Sequence, residues 1–460
     1  MKVRLVTVVA LATMANFALA PLGIAGTWSA PATVATIPYN DSTGYGTPYI
    51  DIDGNGNAVA AWVPGTGLAN VPPNIAQAAS ARFFGPWTAP VNLSFPGTVT
   101  GVTLLMSSES GFSNILLSTS AGLVSSDDTA SGAWTPGVLI GSNLVSARAY
   151  ANRAGDRMVV ALSGTAPPRG NVTLAVTATF RHGSTGWQAT ETVATGNNAA
   201  IETATVAPNG TAIIAWNTST RVCARYCVTK NLVRHISTRA PGNSPWVEIS
   251  GLPAPLNDDT NNLLGLVADA SGNQVFLVYR KSDGSGQAIV RRNGAWSSAA
   301  TAIPGSVLAG GGAWPQLHVD GAGNATIVVS TTGAPRNANI PGNESIGVID
   351  GKLAANSWSP VQIVSALDVT ALFAFAENSA GAAVIGYASN WNTQLPYSIH
   401  AVTRAATGGA WSAPKNLDSS LAYYYFGGVV VDESGQAALI YAGDDAALTF
   451  ETIRAFEYKP

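Results

Sequence analysis

The stretch YIDIDGNGNAVAAW, residues 49–62, decides the fold of this 460-residue chain. An apolar run leads into a polar turn that contains Asp53 and Gly56, and a second apolar run follows and ends at Trp62. Asp starts a tight turn by accepting hydrogen bonds from the backbone ahead of it, and Gly supplies the positive φ that a hairpin loop needs. The stretch therefore predicts a β-hairpin.

The hairpin pattern recurs along the chain in regular register. It is found eight times at a mean step of about 54 residues, centred on Gly56, Gly111, Gly155, Gly210, Gly272, Gly323, Gly381 and Gly435. A second signature, a small or turn residue just before Trp, recurs about every 55 residues, at Trp28, Trp87, Trp134, Trp187, Trp246, Trp296, Trp358 and Trp411. Because the two signatures alternate without exception, the chain is predicted to consist of eight repeats.

Each repeat contains two further apolar runs besides the hairpin. A third run follows the hairpin, as in IAQAASAR ending at Arg82, and the segment after each Trp supplies a fourth. Four antiparallel strands per repeat, packed around an axis, make a propeller blade. We predict an all-β chain that forms a single β-propeller of eight four-stranded blades, and seven blades plus a stray hairpin is the alternative.

The two ends of the chain complete this interpretation. The last repeat has no Trp strand, whereas residues 26–34, GTWSAPATV, are a Trp strand without a hairpin. The N-terminal strand is therefore predicted to complete the last blade and to leave no unpaired edge at the seam. Residues 26–460 would then form one propeller domain.

The first 25 residues read as a signal peptide. Lys2 and Arg4 precede the apolar stretch 5–20, and small residues follow it, which is typical of a secretory signal. We expect a secreted or periplasmic protein. No later stretch of 18 uninterrupted apolar residues occurs, so no membrane span is expected.

Charge and cysteine content restrict the function further. Only 11% of the residues are charged, and the net charge is −3. A chain of this charge lacks the basic character that attracts nucleic acid. Its low charge content also excludes a disordered chain. Cys223 and Cys227 stand four residues apart, and in an oxidising compartment we expect them to form a disulfide that pins a hairpin loop. Two free thiols are the alternative.

The G-x-W strand opener and the D-x-x-G-N-A hairpin resemble the repeat modules of secreted bacterial β-propellers and, more distantly, of the sialidase-type propellers that carry Asp-boxes. This resemblance covers essentially all of residues 26–460. It implies carbohydrate as the ligand class and a sialidase-like glycoside hydrolase or polysaccharide lyase as a possible activity. The nearest Asp-box text, SSDDTASGAW ending at Trp134, has Gly132 two rather than three residues before the Trp, and no Arg occurs in residues 26–40.

One turn also imitates a cation site. Asp51, Asp53 and Asn55 place oxygen atoms at alternate positions, like the first half of a calcium loop. Position twelve of that pattern is Trp62 rather than a bidentate Glu. We therefore favour a plain hairpin turn, with no metal and no cofactor.

Histidines and repeated arginines have structural interpretations. His182, His235, His318 and His400 lie in different repeats, which favours core or surface positions over a shared catalytic site. An Arg ends the third run in several repeats, at Arg82, Arg181, Arg239 and Arg404. A feature present in many blades is expected to serve the blade itself.

Function is expected where the repeats differ, in the loops from second to third strand and from fourth strand to the next blade, which share one face. Aromatic rings there could stack on sugar faces while Asp, Asn and Arg side chains bond hydroxyl groups. The candidate ligand-binding residues are Asp258, Asp259, Arg280, Asp283, Trp391, Tyr424, Asp444 and Asp445. Solvated loop tips are the alternative interpretation.

The sequence thus favours a secreted propeller that binds a glycan or an extracytoplasmic protein without catalysis. A sialidase-like hydrolase or lyase is the first alternative, since paired carboxylates could act as acid and base. A scaffold in an envelope assembly is the second.

Overall fold

The computed structural model of the chain describes most of the region after residue 25. The described residues are 26–38, 47–64, 74–107, 111, 113–128, 133–142, 144–164, 171–223, 227–242, 244–280, 286–297, 301–303, 315–332, 344–355, 357–365, 369–389, 397–421, 424–444 and 450–460. Within these ranges no helix is both long enough and apolar enough to cross a membrane. The predicted signal peptide, residues 1–25, lies outside them and stays a prediction.

The described residues fold into β-strands joined by short turns. Two N-terminal strands come first, β1 (Thr27–Trp28) and β2 (Ala32–Pro38). Blade 1 contains β3 (Tyr49–Ile52), β4 (Asn57–Trp62), β5 (Ile75–Arg82) and β6 (Val91–Ser94). Blade 2 contains β7 (Val99–Ser107), β8 (Ser113–Thr119), β9 (Gly122–Asp127) and β10 (Val138–Gly141). Blade 3 contains β11 (Leu144–Ala151), β12 (Arg157–Ser163), β13 (Thr173–Arg181) and β14 (Glu191–Asn197). Blade 4 contains β15 (Ala200–Val206), β16 (Ala212–Cys223), β17 (Cys227–Arg239) and β18 (Val247–Glu248).

The second half of the chain repeats this order after one helical turn, α1 (Ala254–Asn257). Blade 5 contains β19 (Asn261–Ala268), β20 (Gln274–Arg280), β21 (Gly286–Arg292), β22 (Ala295–Trp296) and β23 (Thr301–Ile303). Blade 6 contains β24 (Gln316–Val319), β25 (Asn324–Thr332), β26 (Glu344–Lys352), β27 (Ser357–Trp358) and β28 (Gln362–Ile363). Blade 7 contains β29 (Val369–Glu377), β30 (Ala383–Ser389), β31 (Tyr397–Arg404) and β32 (Lys415–Leu421). Blade 8 contains β33 (Tyr424–Val431), β34 (Ala437–Asp444) and β35 (Phe450–Lys459).

The strand pairing confirms eight blades rather than seven. Every blade is an antiparallel sheet whose strands follow chain order, and in blades 5 and 6 the fourth position is shared by two short strands that pair with the third. Blades 6 and 7 are joined by one backbone pairing, between Glu344 and Val369. The first strand of each blade contacts the first strand of the next, and β33 of blade 8 contacts β3 of blade 1. The eight first strands therefore form a closed ring around a central channel.

The N-terminal strands close this ring as predicted. β1 pairs with β35 from Thr27 opposite Lys459, and β2 continues along the same strand from Ala32 opposite Ala455. Blade 8 thus takes its outermost strand from the beginning of the chain. This arrangement pairs the edge that would otherwise be left open at the seam.

The core is divided among the interfaces between blades. Among the described residues, eight clusters of buried apolar side chains occur, and each draws its residues from one pair of adjacent blades. In the cluster between blades 8 and 1, for example, Trp62 and Ile50 pack with Ile440 and Ile453. This distribution explains the low charge content, because both faces of most blades are buried against neighbours.

The turns between first and second strands have the predicted geometry. Each of the eight turn glycines has a φ between 75° and 94°, in the left-handed region that L side chains rarely adopt. These turns and the links from third to fourth strand lie on one face of the ring, named here the turn face. The links from second to third strand and from one blade to the next lie on the other, named the loop face.

Candidate functional site

The side chain of Asp53 forms part of a hairpin turn. Asp53 Oδ1 accepts hydrogen bonds from the backbone N–H of Asn55 (2.9 Å) and Asn57 (2.7 Å), and Oδ2 accepts one from Asn57 Nδ2 (2.8 Å). The backbone part of this pattern recurs at Asp269, Asp320, Asn378 and Asp432. In the described part of the chain, no group of three or more His, Cys, Asp or Glu residues is placed to hold a metal ion. The Asp53 oxygens are therefore used by the turn itself.

The repeated arginines join neighbouring blades at the turn face. Arg181 of blade 3 forms two hydrogen bonds to Asp127 of blade 2, at 2.6 and 2.9 Å. Arg404 of blade 7 bonds Asp350 of blade 6 at 2.6 Å, and Arg239 of blade 4 bonds Glu191 of blade 3 at 2.9 Å. Their side chains are at most 5% exposed. The prediction that these arginines serve the blades is confirmed for these three, whereas Arg82 is exposed.

Asp128 and Glu377 are carboxyl groups at the turn face whose pKa values are raised. Burial, and after it the charge of Asp53, raises the pKa of Asp128 to about 6. Burial raises the pKa of Glu377 to about 7 although Arg404 and two Thr hydroxyls bond its Oε1. Burial has the larger effect on the pKa of Glu377 for two reasons. Arg404 also neutralises Asp350. The second oxygen of Glu377, Oε2, has no hydrogen-bond partner in the described structure. Both groups are enclosed by blade contacts, so we assign them to the scaffold.

The turn-face mouth of the channel is crossed by an ion pair. Arg153, in the first turn of blade 3, lies 3.6 Å from Glu433 of blade 8 and also bonds the backbone carbonyl of Val431. Ser379 of blade 7 in turn bonds Glu433 through its hydroxyl. The contacts connect blades on different sides of the ring. They restrict access to the channel from the turn face and leave the loop face as the candidate for binding.

The four histidines lie where the repeat predicts them and serve packing. His235 stacks on Trp216 with ring centroids 4.2 Å apart, and His400 occupies the equivalent position against Tyr387 at 5.2 Å. His182 pairs with Asp156 at 3.0 Å. His318, on β24, meets the edge of the Phe375 ring, and burial and then Arg153 lower its pKa to about 4. His182, His235 and His400 are thus held in their own blades, whereas His318 of blade 6 packs against blade 7.

At the loop face, the turn with Asp258 and Asp259 stands on a buried ion pair. Arg234 of blade 4 is 1% exposed at its side chain and bonds both carboxylate oxygens of Glu202. Its remaining donors bond the carbonyl oxygens of Leu256 (2.6 Å) and Asn261 (3.0 Å), on either side of that turn. All three guanidinium nitrogens are therefore engaged within the protein, and they fix the loop that enters blade 5.

The turn itself presents oxygen atoms to solvent. Asp258, Asp259 and Thr260 are exposed. Asp258 Oδ1 accepts hydrogen bonds from the backbone N–H (2.8 Å) and the hydroxyl (2.7 Å) of Thr260. The bonds hold the Asp258 carboxylate in one orientation.

The structure divides the predicted ligand-binding residues into two groups. Arg280 ends β20 opposite Asn261, so it lies beside the Asp258–Asp259 turn on blade 5. Tyr424 begins β33 opposite Gly443, next to Asp444, on blade 8. Blades 5 and 8 are three places apart in the ring. The two groups therefore lie on different sides of the channel mouth.

Several predicted residues cannot be assigned a contact. The side chains of Arg280, Tyr424 and Asp444 lie outside the described residues, as do Asp283, Trp391 and Asp445 altogether. Their roles in ligand binding stay predictions.

Sequence reasoning did not identify Arg234 and Glu202. A comparison of repeats contains the signal, because the residues equivalent to Arg234 are the buried Ala76 and Ile399 in blades 1 and 7. A charge at an apolar position of the repeat indicates a buried partner.

The predicted disulfide lies in a long hairpin of blade 4. β16 and β17 have 12 and 13 residues and pair up to Cys223 opposite Cys227. Cα atoms directly opposite each other in antiparallel strands are about 4.5 to 5.5 Å apart, within the range that a disulfide spans. The side chains of both cysteines lie outside the described residues, so the bond stays a prediction.

Two surface grooves lie on the outer rim, each between the fourth strand of one blade and the Trp segment of the next. The first, named rim groove 1–2, has a volume of about 370 Å³ and is lined by residues 91–95 and 133–136. The second, named rim groove 6–7, has a volume of about 400 Å³ and is lined by residues 362–365 and 411–414.

Comparisons with known proteins found solved structures of low similarity. No protein-family model and no curated protein matches the sequence. Similar solved structures include a protein of unknown function from Dyadobacter fermentans, with 11% identity, a TM-score of 0.41, and coverage of 94% of this chain and 99% of that one. The polysaccharide lyase Uly1 has 10% identity, a TM-score of 0.48 and 91% coverage of both chains. A leech intramolecular trans-sialidase has 8% identity, a TM-score of 0.39, and coverage of 94% of this chain and 98% of that one.

The eight-bladed ring itself follows from the strand pairing and from the cluster that joins blades 8 and 1. The function of this chain has to be argued from its own residues.

Proposed function

We propose that this protein is a secreted propeller that binds a glycan on its loop face, at the turn that contains Asp258 and Asp259, without catalysis. The observation that carries the proposal is the exposed, oriented carboxylate of Asp258 on a loop fixed by the buried Arg234. A binding group held by rigid elements loses little conformational entropy when a ligand arrives.

The chemistry of this turn suits hydroxyl groups. Carboxylates accept hydrogen bonds from sugar hydroxyls, and Thr260 adds a hydroxyl at the same exposed turn. The backbone of Arg280 lies beside it by strand register. We therefore expect neutral or amino sugars rather than acidic ones, since adjacent Asp carboxylates repel an anion.

Arg234 is not available to pair with the carboxylate of an acidic sugar. A site for an acidic sugar needs cationic donors that are free to pair with its carboxylate, whereas Glu202 and two backbone carbonyls engage the Arg234 guanidinium.

A glycan array and a panel of chromogenic glycosides test the proposal on the same preparation. We expect binding to neutral or amino-sugar glycans and no turnover. Asp258→Asn should weaken binding about tenfold or more, because each good hydrogen bond to a charged group contributes about 1.5 to 3 kcal/mol. Glu433→Gln, an exposed acid on the turn face, is the matched control and should bind like the parent protein.

Two other outcomes would favour the alternatives. Turnover of a glycoside that Asp258→Asn abolishes would identify a hydrolase or lyase. A stable protein partner captured without sugar dependence would favour the scaffold in an envelope assembly.

Secretion is tested separately, by N-terminal sequencing of the mature protein, which we expect to begin near Gly26.

A further inference from the structure

We propose that the long hairpin of blade 4 is a docking arm that inserts into an acidic cleft of a partner protein. The hairpin arm is defined here as the part of β16 and β17 that extends past β15, residues 218–223 and 227–233. The proposal goes beyond the glycan site and rests on three observations. The arm extends past its neighbouring strands, it is basic, and its charges lie on opposite faces.

The hairpin arm continues where the flanking strands of blade 4 end. β15 pairs with β16 up to Asn217, and the short β18 pairs with β17 at Ser237 and Thr238. β16 runs on to Cys223, which corresponds to about 20 Å of strand. Because a two-stranded ribbon is marginally stable in water, an extension of this length contributes little to the stability of the fold.

Contacts from blade 3 hold the base of the hairpin arm. Asn171 Oδ1 accepts a hydrogen bond from the backbone N–H of Arg221 at 2.7 Å. Asn198 Nδ2 donates to the same oxygen at 2.8 Å and to the carbonyl oxygen of Ser219 at 2.9 Å. These bonds fix the arm in one orientation, which lowers the entropic cost of docking.

The surface of the hairpin arm is basic. Residues 218–233 include three basic residues and no acidic one, in a chain whose net charge is −3. Arg221 and Lys230 are exposed, and within the described ranges neither forms a salt bridge. Their charges are therefore available to an acidic partner, which they attract over about 10 Å at 0.1 M ionic strength.

The strand register decides what kind of partner fits the arm. Thr220 lies opposite Lys230, and Arg221 lies opposite Thr229. Lys230 and Arg221 therefore point to opposite faces of the ribbon. An extended polyanion that lies along one face would meet one of the two cations. A cleft in a protein encloses both faces and meets both.

Aliphatic side chains accompany one of the charges. Val222 and Val233 are 45% and 47% exposed. The register with β16 places both on the face that carries Lys230. A cleft that covers this face would bury apolar surface, which stabilises the complex once opposite charges have brought the two proteins together.

Two features of β17 disfavour the addition of another strand to the arm. Among the described strands, only β16 pairs with residues 229–233, but this edge carries the charge of Lys230. A register shift beside Asn231, whose φ is 52°, adds a β-bulge. Natural proteins use both devices against edge-to-edge pairing, and a second basic arm would add repulsion between like charges. Side-chain contacts in an acidic cleft are therefore favoured over strand addition and over a dimer through the arm.

Site-specific photocross-linking tests the proposal with the full mature protein. Benzoylphenylalanine replaces the exposed Val222, and the protein is irradiated among the extracytoplasmic proteins of the cells that make it. We expect one main cross-linked protein. Its affinity for the arm, measured after purification, should fall about tenfold or more in Arg221→Glu and in Lys230→Glu, because both cations meet the cleft.

Lys415→Glu is the matched control and should bind the partner like the parent protein. Lys415 is an exposed Lys on the fourth strand of blade 7, so the change in net charge is the same. All three variants should melt at the temperature of the parent, which excludes a loss of binding through unfolding. Asp258→Asn should leave the cross-link unchanged, which separates this proposal from the glycan site.

Four other results would each overturn the proposal. The first is the absence of a cross-linked protein, and the second is a partner whose affinity does not change in one of the two charge-reversal variants. A cross-link between two copies of this chain would identify a dimer interface instead. Retention on heparin that both charge reversals abolish, without a protein cross-link, would identify an anionic polysaccharide as the ligand.

Discussion

Glu377 shares one guanidinium with a second acid at the joint between blades 6 and 7. Its side chain is 1% exposed, and Arg404 bonds both Glu377 and Asp350. Burial raises the pKa of Glu377 to about 7, against an ordinary value of 4.5, and the bonds from Arg404 and the Thr hydroxyls offset only part of this effect. The folded chain therefore binds a proton between these two pH values that the unfolded chain releases.

Stability should fall as the pH rises through that window. The folded state holds more protons than the unfolded state between pH 4.5 and about 7, so the free energy of unfolding decreases with pH there and is level above it. Glu377→Gln removes the effect, and the parent should lose on the order of 3 kcal/mol more than the variant between pH 4 and 8. Urea denaturation at the two pH values measures this. Asp259→Asn, an exposed acid, should follow the parent, and equal pH slopes for the parent and Glu377→Gln would contradict the prediction.

Arg234 gives a second test at the scale of one residue. Arg234→Met leaves the Glu202 carboxylate without its partner in a largely buried position, so we expect a loss of about 3 to 5 kcal/mol in the free energy of unfolding. The loop at residues 253–261 should also become sensitive to proteases, because two of its carbonyls lose their donor. Thermal denaturation and limited proteolysis check both effects.

Arg221→Met is the control for this change. Arg221 is exposed on the same blade, and its replacement should cost less than about 1 kcal/mol. If both variants melt at the same temperature, Arg234 is not the anchor that we describe.

The hairpin turn is the structural element that recurs most faithfully. Gly272 and Gly381 occupy equivalent turns with φ near 80°, but their surroundings differ. A Cβ at Gly381 would lie 2.0 Å from the Thr407 hydroxyl, which bonds Asp320, whereas a Cβ at Gly272 would come no closer than 3.5 Å to Asn209. The left-handed backbone of the turn favours Gly at both positions, and close packing against Thr407 adds a second reason for Gly at position 381.

The two Ala substitutions should differ accordingly. Gly272→Ala should cost about 1 to 2 kcal/mol, from the left-handed backbone alone. Gly381→Ala should cost more, because Thr407 must also move and give up its bond to Asp320. Denaturation curves of the two variants compare them directly, and an equal or reversed order would count against this account.

The whole molecule depends on a seam between its first and last strands. β1 and β2 pair with β35, and Val34 and Ala35 of β2 belong to the core cluster between blades 8 and 1. Without them, blade 8 would expose the edge of β35 and apolar side chains of that cluster. Such an edge is a template for pairing with another chain.

Deletion of residues 26–38 should therefore abolish the cooperative unfolding transition or cause aggregation. A synthetic peptide of residues 26–38 added to the truncated protein should restore the transition, and a peptide of scrambled sequence should not. Circular dichroism and size-exclusion chromatography provide the readouts. A truncated protein that remains monomeric and melts like the parent would show that the ring closes without this strand.

The sequence predicted the fold well because the repeat is a local property. Three features follow from positions within one repeat: the turn at Asp53 and Gly56, the Arg that ends the third strand, as at Arg181, and the Trp segment. Their recurrence along the chain strengthens the prediction of a propeller. The candidate site was less accessible to sequence reasoning. Asp258 and Arg280 were recognised as irregular loop residues, whereas Arg234 and Glu202, which support them, were not.

The sequence by itself determined the number of blades, the glycine turns and the strand that closes the ring, since each depends on short-range patterns or on counting. Only the tertiary structure decided which side chains meet. It paired Arg234 with Glu202 within blade 4, separated the blade 5 group from the blade 8 group and formed the rim grooves between neighbouring blades. The physical reason is that these contacts join residues far apart in the chain, 32 positions for Arg234 and Glu202, and the pattern within one repeat does not specify them.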